Sequence, residues 1–190
     1  MQKRKSLFLL ALLVVMFIPQ VQAQKITLAD VVSKGTFRPK TVEGLRSMKD
    51  GLHYTTLEKD GTEIVKYSYK TGEKVATVLS VADLKIDSLK YIADYEFSSD
   101  ESRVMLMTDK HKIYRRSFTA QYYVYNFTTK EVTPLSTKGR QQLATFSPDG
   151  ERVAFVRDNN LFVKSLRFGT ERQVTFDGKR NHIINGAPDW

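Results

Sequence analysis

The segment Phe97-Ser98-Ser99-Asp100-Glu101-Ser102-Arg103-Val104 returns 49 residues later as Phe146-Ser147-Pro148-Asp149-Gly150-Glu151-Arg152-Val153, with Phe, Ser, Asp, Arg and Val in the same places. A fixed period constrains a fold more than any local propensity, because each copy must be one supersecondary unit that stacks on the next. A weaker early copy starts at Ser47-Met48-Lys49-Asp50-Gly51 and runs into His53-Tyr54-Thr55. Each copy leads into an apolar strand, a polar turn and another strand. Ile64-Val65-Lys66-Tyr67-Ser68-Tyr69 precedes Lys70-Thr71-Gly72-Glu73, and Tyr122-Tyr123-Val124-Tyr125-Asn126-Phe127 precedes Thr128-Thr129-Lys130-Glu131. In the last copy Leu161-Phe162-Val163-Lys164 precedes Phe168-Gly169-Thr170-Glu171.

These pieces have hairpin chemistry. Ser147-Pro148-Asp149-Gly150 suits a type I turn: proline presets φ at the second position, aspartate tolerates the third and glycine closes the fourth. Arg157-Asp158-Asn159-Asn160 is a second turn, between the apolar runs 153–156 and 161–163. Those runs are rich in β-branched and aromatic residues and too short for helices. Several are apolar on both faces, as a sheet packed between neighbouring sheets requires. A four-stranded unit repeating every 40 to 50 residues or so is the blade of a β-propeller. The predicted fold is all-β: a partial propeller of about three four-stranded blades over residues 47–190, after a lead-in (24–46) with a short helix at 26–32. Closed propellers use about four to eight blades, so the chain is expected to be the truncated, unclosed beginning of a longer protein.

The first 23 residues read as a secretory signal peptide: basic Lys3, Arg4 and Lys5, an apolar run over 7–18, and the small-residue site Val21-Gln22-Ala23. Cleavage is expected after Ala23, giving an exported protein, periplasmic or extracellular; the rival is an N-terminal membrane anchor. The chain has no cysteine, which excludes a lipid-modified cysteine, disulfides, thiolate metal sites and cysteine nucleophiles. The formal charge of +9 loses Lys3, Arg4 and Lys5 with the leader. The remaining charges alternate in sign, as in Glu58-Lys59-Asp60, so no nucleic-acid footprint is expected.

Catalytic patterns are absent from the sequence. There is no Gly-x-Ser-x-Gly nucleophile elbow and no glycine-rich phosphate loop. His53, His111 and His182 are too scattered to read as a shared metal site, and nothing calls for a cofactor. One segment carries distinctive chemistry: Lys112-Ile113-Tyr114-Arg115-Arg116-Ser117-Phe118-Thr119-Ala120, between the hairpin strands of the second repeat. The forked guanidinium donors of Arg115 and Arg116 suit a carboxylate or carbonyl oxygen; the plainer reading is a pair of surface arginines.

Tyr114-Arg115-Arg116-Ser117-Phe118-Thr119-Ala120-Gln121-Tyr122 resembles the Trp-Arg-His-Ser-Tyr-Thr-Ala-x-Tyr stretch of the dipeptidyl peptidase IV family, serine exopeptidases of the prolyl oligopeptidase type. Gly44-Leu45-Arg46-Ser47 with His53-Tyr54 is similar to that family's first blade, and the stretch from Phe146-Ser147-Pro148 to Lys164 to its third. Arg172-Gln173-Val174-Thr175-Phe176-Asp177-Gly178 and Ile183-Ile184-Asn185-Gly186-Ala187-Pro188-Asp189-Trp190 look like the approach to its acidic motif.

The resemblance implies an exopeptidase that, when complete, releases X-Pro or X-Ala dipeptides from peptide substrates. It implies that Arg115 binds a substrate carbonyl oxygen, with Arg116, in place of the usual histidine, secondary. The paired glutamates that hold the substrate's amino terminus, and the triad of a C-terminal α/β-hydrolase domain, are expected beyond Trp190. The chain would then contribute a substrate-binding wall and no catalytic residue. Its partners would be that hydrolase domain and, in the complete protein, a second copy in a homodimer. The alternative is a non-catalytic exported propeller that serves as a binding module, since Ser-Pro-Asp-Gly turns are scaffold chemistry shared by both.

Overall fold

A computed structural model describes residues 25–39 and 41–188. The expected leader, with its expected cleavage site, and Trp190 lie outside the described residues. The chain divides into two compact units at Thr41 and Val42. In the first, a capping box fixes the start of the short helix α1 (Leu28–Val32): Asp30 N donates to Thr27 Oγ1 at 3.2 Å while Thr27 N donates to Asp30 Oδ2 at 2.8 Å.

The second unit holds three antiparallel sheets of four strands, each in sequence order. The first comprises β1 (Arg46–Ser47), β2 (His53–Glu58), β3 (Glu63–Ser68) and β4 (Lys74–Ser80), followed by a one-turn helix, α2 (Val81–Leu84). The second comprises β5 (Asp94–Phe97), β6 (Arg103–Lys112), β7 (Phe118–Asn126) and β8 (Val132–Pro134). The third comprises β9 (Gln142–Phe146), β10 (Arg152–Arg157), β11 (Asn160–Ser165) and β12 (Glu171–Gln173).

The sequence repeat is a repeat of hydrogen bonds. In the β5–β6 turn, Arg103 N donates to Ser98 Oγ at 3.0 Å and Ser102 N to Asp100 Oδ1 at 3.1 Å. In the β9–β10 turn, Arg152 N donates to Ser147 Oγ at 3.0 Å and Glu151 N to Asp149 Oδ1 at 3.0 Å. The first copy keeps the aspartate and loses the serine: Leu52 N donates to Asp50 Oδ1 at 2.9 Å. The expected type I turn is closed by Gly150 N donating to the Ser147 carbonyl at 2.8 Å. The β10–β11 turn puts Asp158 at φ 50° and Asn159 at φ 60°, the two left-handed residues of a type I′ hairpin, which Asp and Asn tolerate best after glycine.

Two apolar cores separate the three sheets. Ile64 and Leu79 of the first sheet pack with Tyr95, Val104, Leu106 and Tyr123 of the second, over Leu89 and Ile92 from the connection. Met105, Ala120, Tyr122 and Val124 of the second pack with Ala144, Val153, Phe155 and Phe162 of the third. Adjacent residues of β6 and β7 thus enter opposite cores, the period-two alternation of a strand buried on both faces. Fully burying a side chain such as Leu106 contributes about 1.5–3 kcal/mol.

A buried ion pair lies within the third sheet and is tied to the β8–β9 connection. Arg157 donates to Ser136 Oγ and Glu171 Oε1, both at 2.7 Å, and lies 4.0 Å above the Phe162 ring. Burial alone would raise the Glu171 carboxyl; bonds from Arg157 and Ser136, with the nearby positive charge, leave it below its ordinary value.

A projecting hairpin as candidate substrate site

The β6–β7 hairpin outruns its neighbours. β5 pairs with β6 only between Asp94↔Met107 and Phe97↔Val104, so β6 from Thr108 to Lys112 continues past it. A register shift between Thr108 and His111 marks the start of this extension, where Asp109 has φ 46°. A bulge adds twist and re-aims the strand beyond it.

The β8–β9 connection grips the base of the extension. Ala120 N donates to the Gln141 carbonyl at 2.9 Å and Gln141 N to the Ala120 carbonyl at 2.8 Å. Arg140 donates to Asp109 Oδ2 through Nη2 at 2.6 Å and Nε at 3.1 Å, while His111 Nε2 lies 3.2 Å from Oδ1. The Arg140 bonds hold the Asp109 carboxyl below its ordinary pKa against the effect of burial, and the charges of Arg140 and His111 add to this. Lys110 Nζ sits 4.1 Å above the Phe118 ring, across the two strands.

At the tip, Ile113 N and Tyr114 N donate to the Ser117 carbonyl at 2.9 and 3.2 Å. Tyr114 is 76% exposed, and Arg115 and Arg116 are exposed beside it. Neither arginine joins an ion pair among the described residues. The geometry therefore offers two unneutralised guanidinium forks on a braced support, able to donate to a carbonyl or carboxylate.

The histidines stay apart: His53 Nδ1 is 2.6 Å from Asp50, His111 meets Asp109, and His182 lies in the turn near the Lys179↔Ile183 bridge. Asp109 and Arg140, which brace the hairpin, belong to no sequence pattern and are 31 residues apart; only their folded pairing reveals them.

Residues 98–190 match the family described as the dipeptidyl peptidase IV (DPP IV) N-terminal region. The crystal structure of Porphyromonas gingivalis dipeptidyl peptidase 4 aligns with 88% of this chain and 24% of its own, at 42% identity and a TM-score of 0.75. The chain carries a DPP IV N-terminal region. Its three sheets are blades of that N-terminal propeller portion, and they do not close into a ring. Prolyl endopeptidase FAP of Bos taurus is 34% identical over 87% of this chain and 21% of its own length. A probable dipeptidyl-aminopeptidase B of Tuber melanosporum is 32% identical over 88% of this chain and 20% of its own. The chain thus spans about a fifth of the length of these relatives. Within this DPP IV N-terminal region, the braced hairpin is the segment carrying the Tyr114–Tyr122 resemblance.

Proposed function

We propose that this chain forms the first propeller blades of an exported DPP IV-like serine peptidase, and that Arg115 is its contribution to the substrate site. The leader is removed after Ala23. The full-length enzyme releases X-Pro or X-Ala dipeptides from peptide amino termini, with nucleophile, base and orienting acid supplied by an α/β-hydrolase domain outside these residues. The observation that carries this reading is the exposed, unneutralised Arg115 at the tip of a hairpin braced by Asp109 and Arg140. A guanidinium held there donates to a substrate backbone carbonyl and restricts how the peptide lies before attack. Arg116 is secondary.

Hydrolysis of a Gly-Pro chromogenic amide tests both halves. The 190-residue chain alone is expected to give no turnover. In the intact peptidase, Arg115→Ala should lower kcat/KM by about 10- to 100-fold, the loss of one hydrogen bond from a charged donor. Arg116→Ala should change it less than about threefold. Turnover by the isolated chain, or an unaffected Arg115→Ala enzyme, overturns the assignment.

A further inference from the structure

A cavity of about 300 Å³ opens between the second and third sheets. Its floor is apolar and polarisable, made by Met105, Met107, Phe118 and Ala144. Its rim carries Arg46, Asp94 and Glu96. Asp94 already has its cation: Arg46 Nη2 donates to Oδ1 at 2.5 Å, while Nε donates to the Tyr95 carbonyl at 2.6 Å. Glu96 lies on the same face of β5, is exposed, and has no ion pair or hydrogen-bond partner among the described residues. The rim thus sets two carboxylates against one guanidinium; burial and the Asp94 charge raise the Glu96 carboxyl, the Arg46 charge opposes this, and Glu96 is left without a bonded cation.

The second observation is Tyr122. It is 3% exposed, and its hydroxyl bonds to nothing among the described residues. Yet that oxygen is not sealed inside protein, since the only sealed and unpartnered side-chain atom among the described residues is Gln141 Oε1. Tyr122 also lines the cavity, so its free hydroxyl is aimed there. Burial first, then the charges of Asp94 and Glu96, push this phenol up to about 12. It stays neutral, in a negative local field.

The chemistry narrows the occupant. An anion is repelled by the carboxylates. A divalent metal ion needs several hard oxygen ligands, whereas thioethers and an aromatic ring form the floor. A neutral hydrocarbon leaves Glu96 unanswered. A monocation on a short apolar stem satisfies every feature, because thioether and aromatic surfaces favour cations and alkyl chains alike. We propose that this cavity binds an alkylammonium group, with its charge on Glu96, one N–H donated to the Tyr122 hydroxyl and its stem against Met105, Met107 and Phe118. The site does not depend on peptidase activity, so its failure would leave the Arg115 assignment standing.

The test is titration of the full chain with n-pentylammonium, followed by calorimetry and by the methyl NMR signals of Met105 and Met107. Both methyls should shift. Glu96→Gln should weaken binding at least about tenfold, Tyr122→Phe about threefold or more, and n-pentanol should bind at least about tenfold more weakly than its ammonium counterpart. Glu96→Asp, which keeps the charge, should restore part of the loss and guards against a folding artefact. Nα-acetyl-lysine methylamide separates two sources of the same group: tighter binding than n-pentylammonium assigns the site to a peptide lysine, weaker binding to a free amine, and either result supports it. Silent Met105 and Met107 methyls, equal affinity for the alcohol, or an undiminished Glu96→Gln protein overturns the proposal.

Discussion

The hydroxyl of Ser99 donates to the carbonyl of Pro148 at 2.5 Å, across 49 residues. The two occupy the same place in consecutive copies of the repeat, so each turn is bonded to its own counterpart one blade on. Arg103 Nη1 adds a bond to the Gly150 carbonyl at 3.2 Å, and Lys49 N bonds Glu101 Oε1 at 2.6 Å between the first and second turns. Short turns that would otherwise be surface decoration hold the blades in step.

The aspartates in those turns make stability depend on acid. Bonds from Ser98 and Ser102 lower the Asp100 carboxyl from its ordinary 3.8 to about 2. A depressed carboxylate contributes stability that is fully present above its ordinary pKa and is lost as pH falls through the folded value. Asp100→Asn should therefore lower Tm at pH 7. The gap from the parent should close as pH drops from about 4 to about 2, which thermal melts across that range will show.

Two glycines with similar backbone should respond differently to alanine. Gly72 has φ 70° with open space around it, whereas Gly61 has φ 84° and an added Cβ would run into the Ile92 carbonyl. Gly72→Ala should cost about 1 kcal/mol, the left-handed penalty alone. Gly61→Ala should cost about 2–4 kcal/mol once crowding is added. Urea unfolding midpoints measure the difference.

Arg157 and Glu171 are 7% and 14% exposed in their side chains. Arg157→Ala strands a buried carboxylate and should destabilise by about 3–5 kcal/mol. Replacing both with leucine should cost markedly less, because the desolvation of both charges goes with them. Chemical denaturation of the single and double variants decides this.

Asp109→Asn should loosen the projecting hairpin without unfolding the sheets. A partly exposed pair of this kind is worth about 0.2–1 kcal/mol. Amide exchange over residues 110–119 should therefore quicken roughly two- to fivefold while β10 and β11 stay protected. In the intact peptidase kcat/KM should fall, by less than in Arg115→Ala.

What the sequence revealed and what it hid follow from range. The blades were legible because their signals are local: aspartate in each β-turn, Asp158-Asn159 between β10 and β11, and alternating apolar residues along β6 and β7. The proposed role of Arg115 rests on a resemblance over Tyr114–Tyr122 and on the chemistry of its guanidinium, not on a spacing rule. Arg140 was not, since its pairing with Asp109 arises only when the β8–β9 connection folds back to bridge Gln141 with Ala120. The cavity under Tyr122 was hidden for the same reason. Leu106 and Tyr122 read alike as apolar strand residues, and only packing shows that the Tyr122 hydroxyl feels the charges of Asp94 and Glu96 and has no partner among the described residues.

The alternation of β6 and β7 between two cores has a mechanical result. Among the described residues the first and third blades share no apolar cluster, so their apolar coupling runs through the middle one. Unfolding should then spread as in a row of dominoes, nearest neighbour to nearest neighbour. A cavity carved at Val104 would unlink the middle blade from the first, and one at Val124 from the third, making the central sheet the joint on which communication along the chain turns.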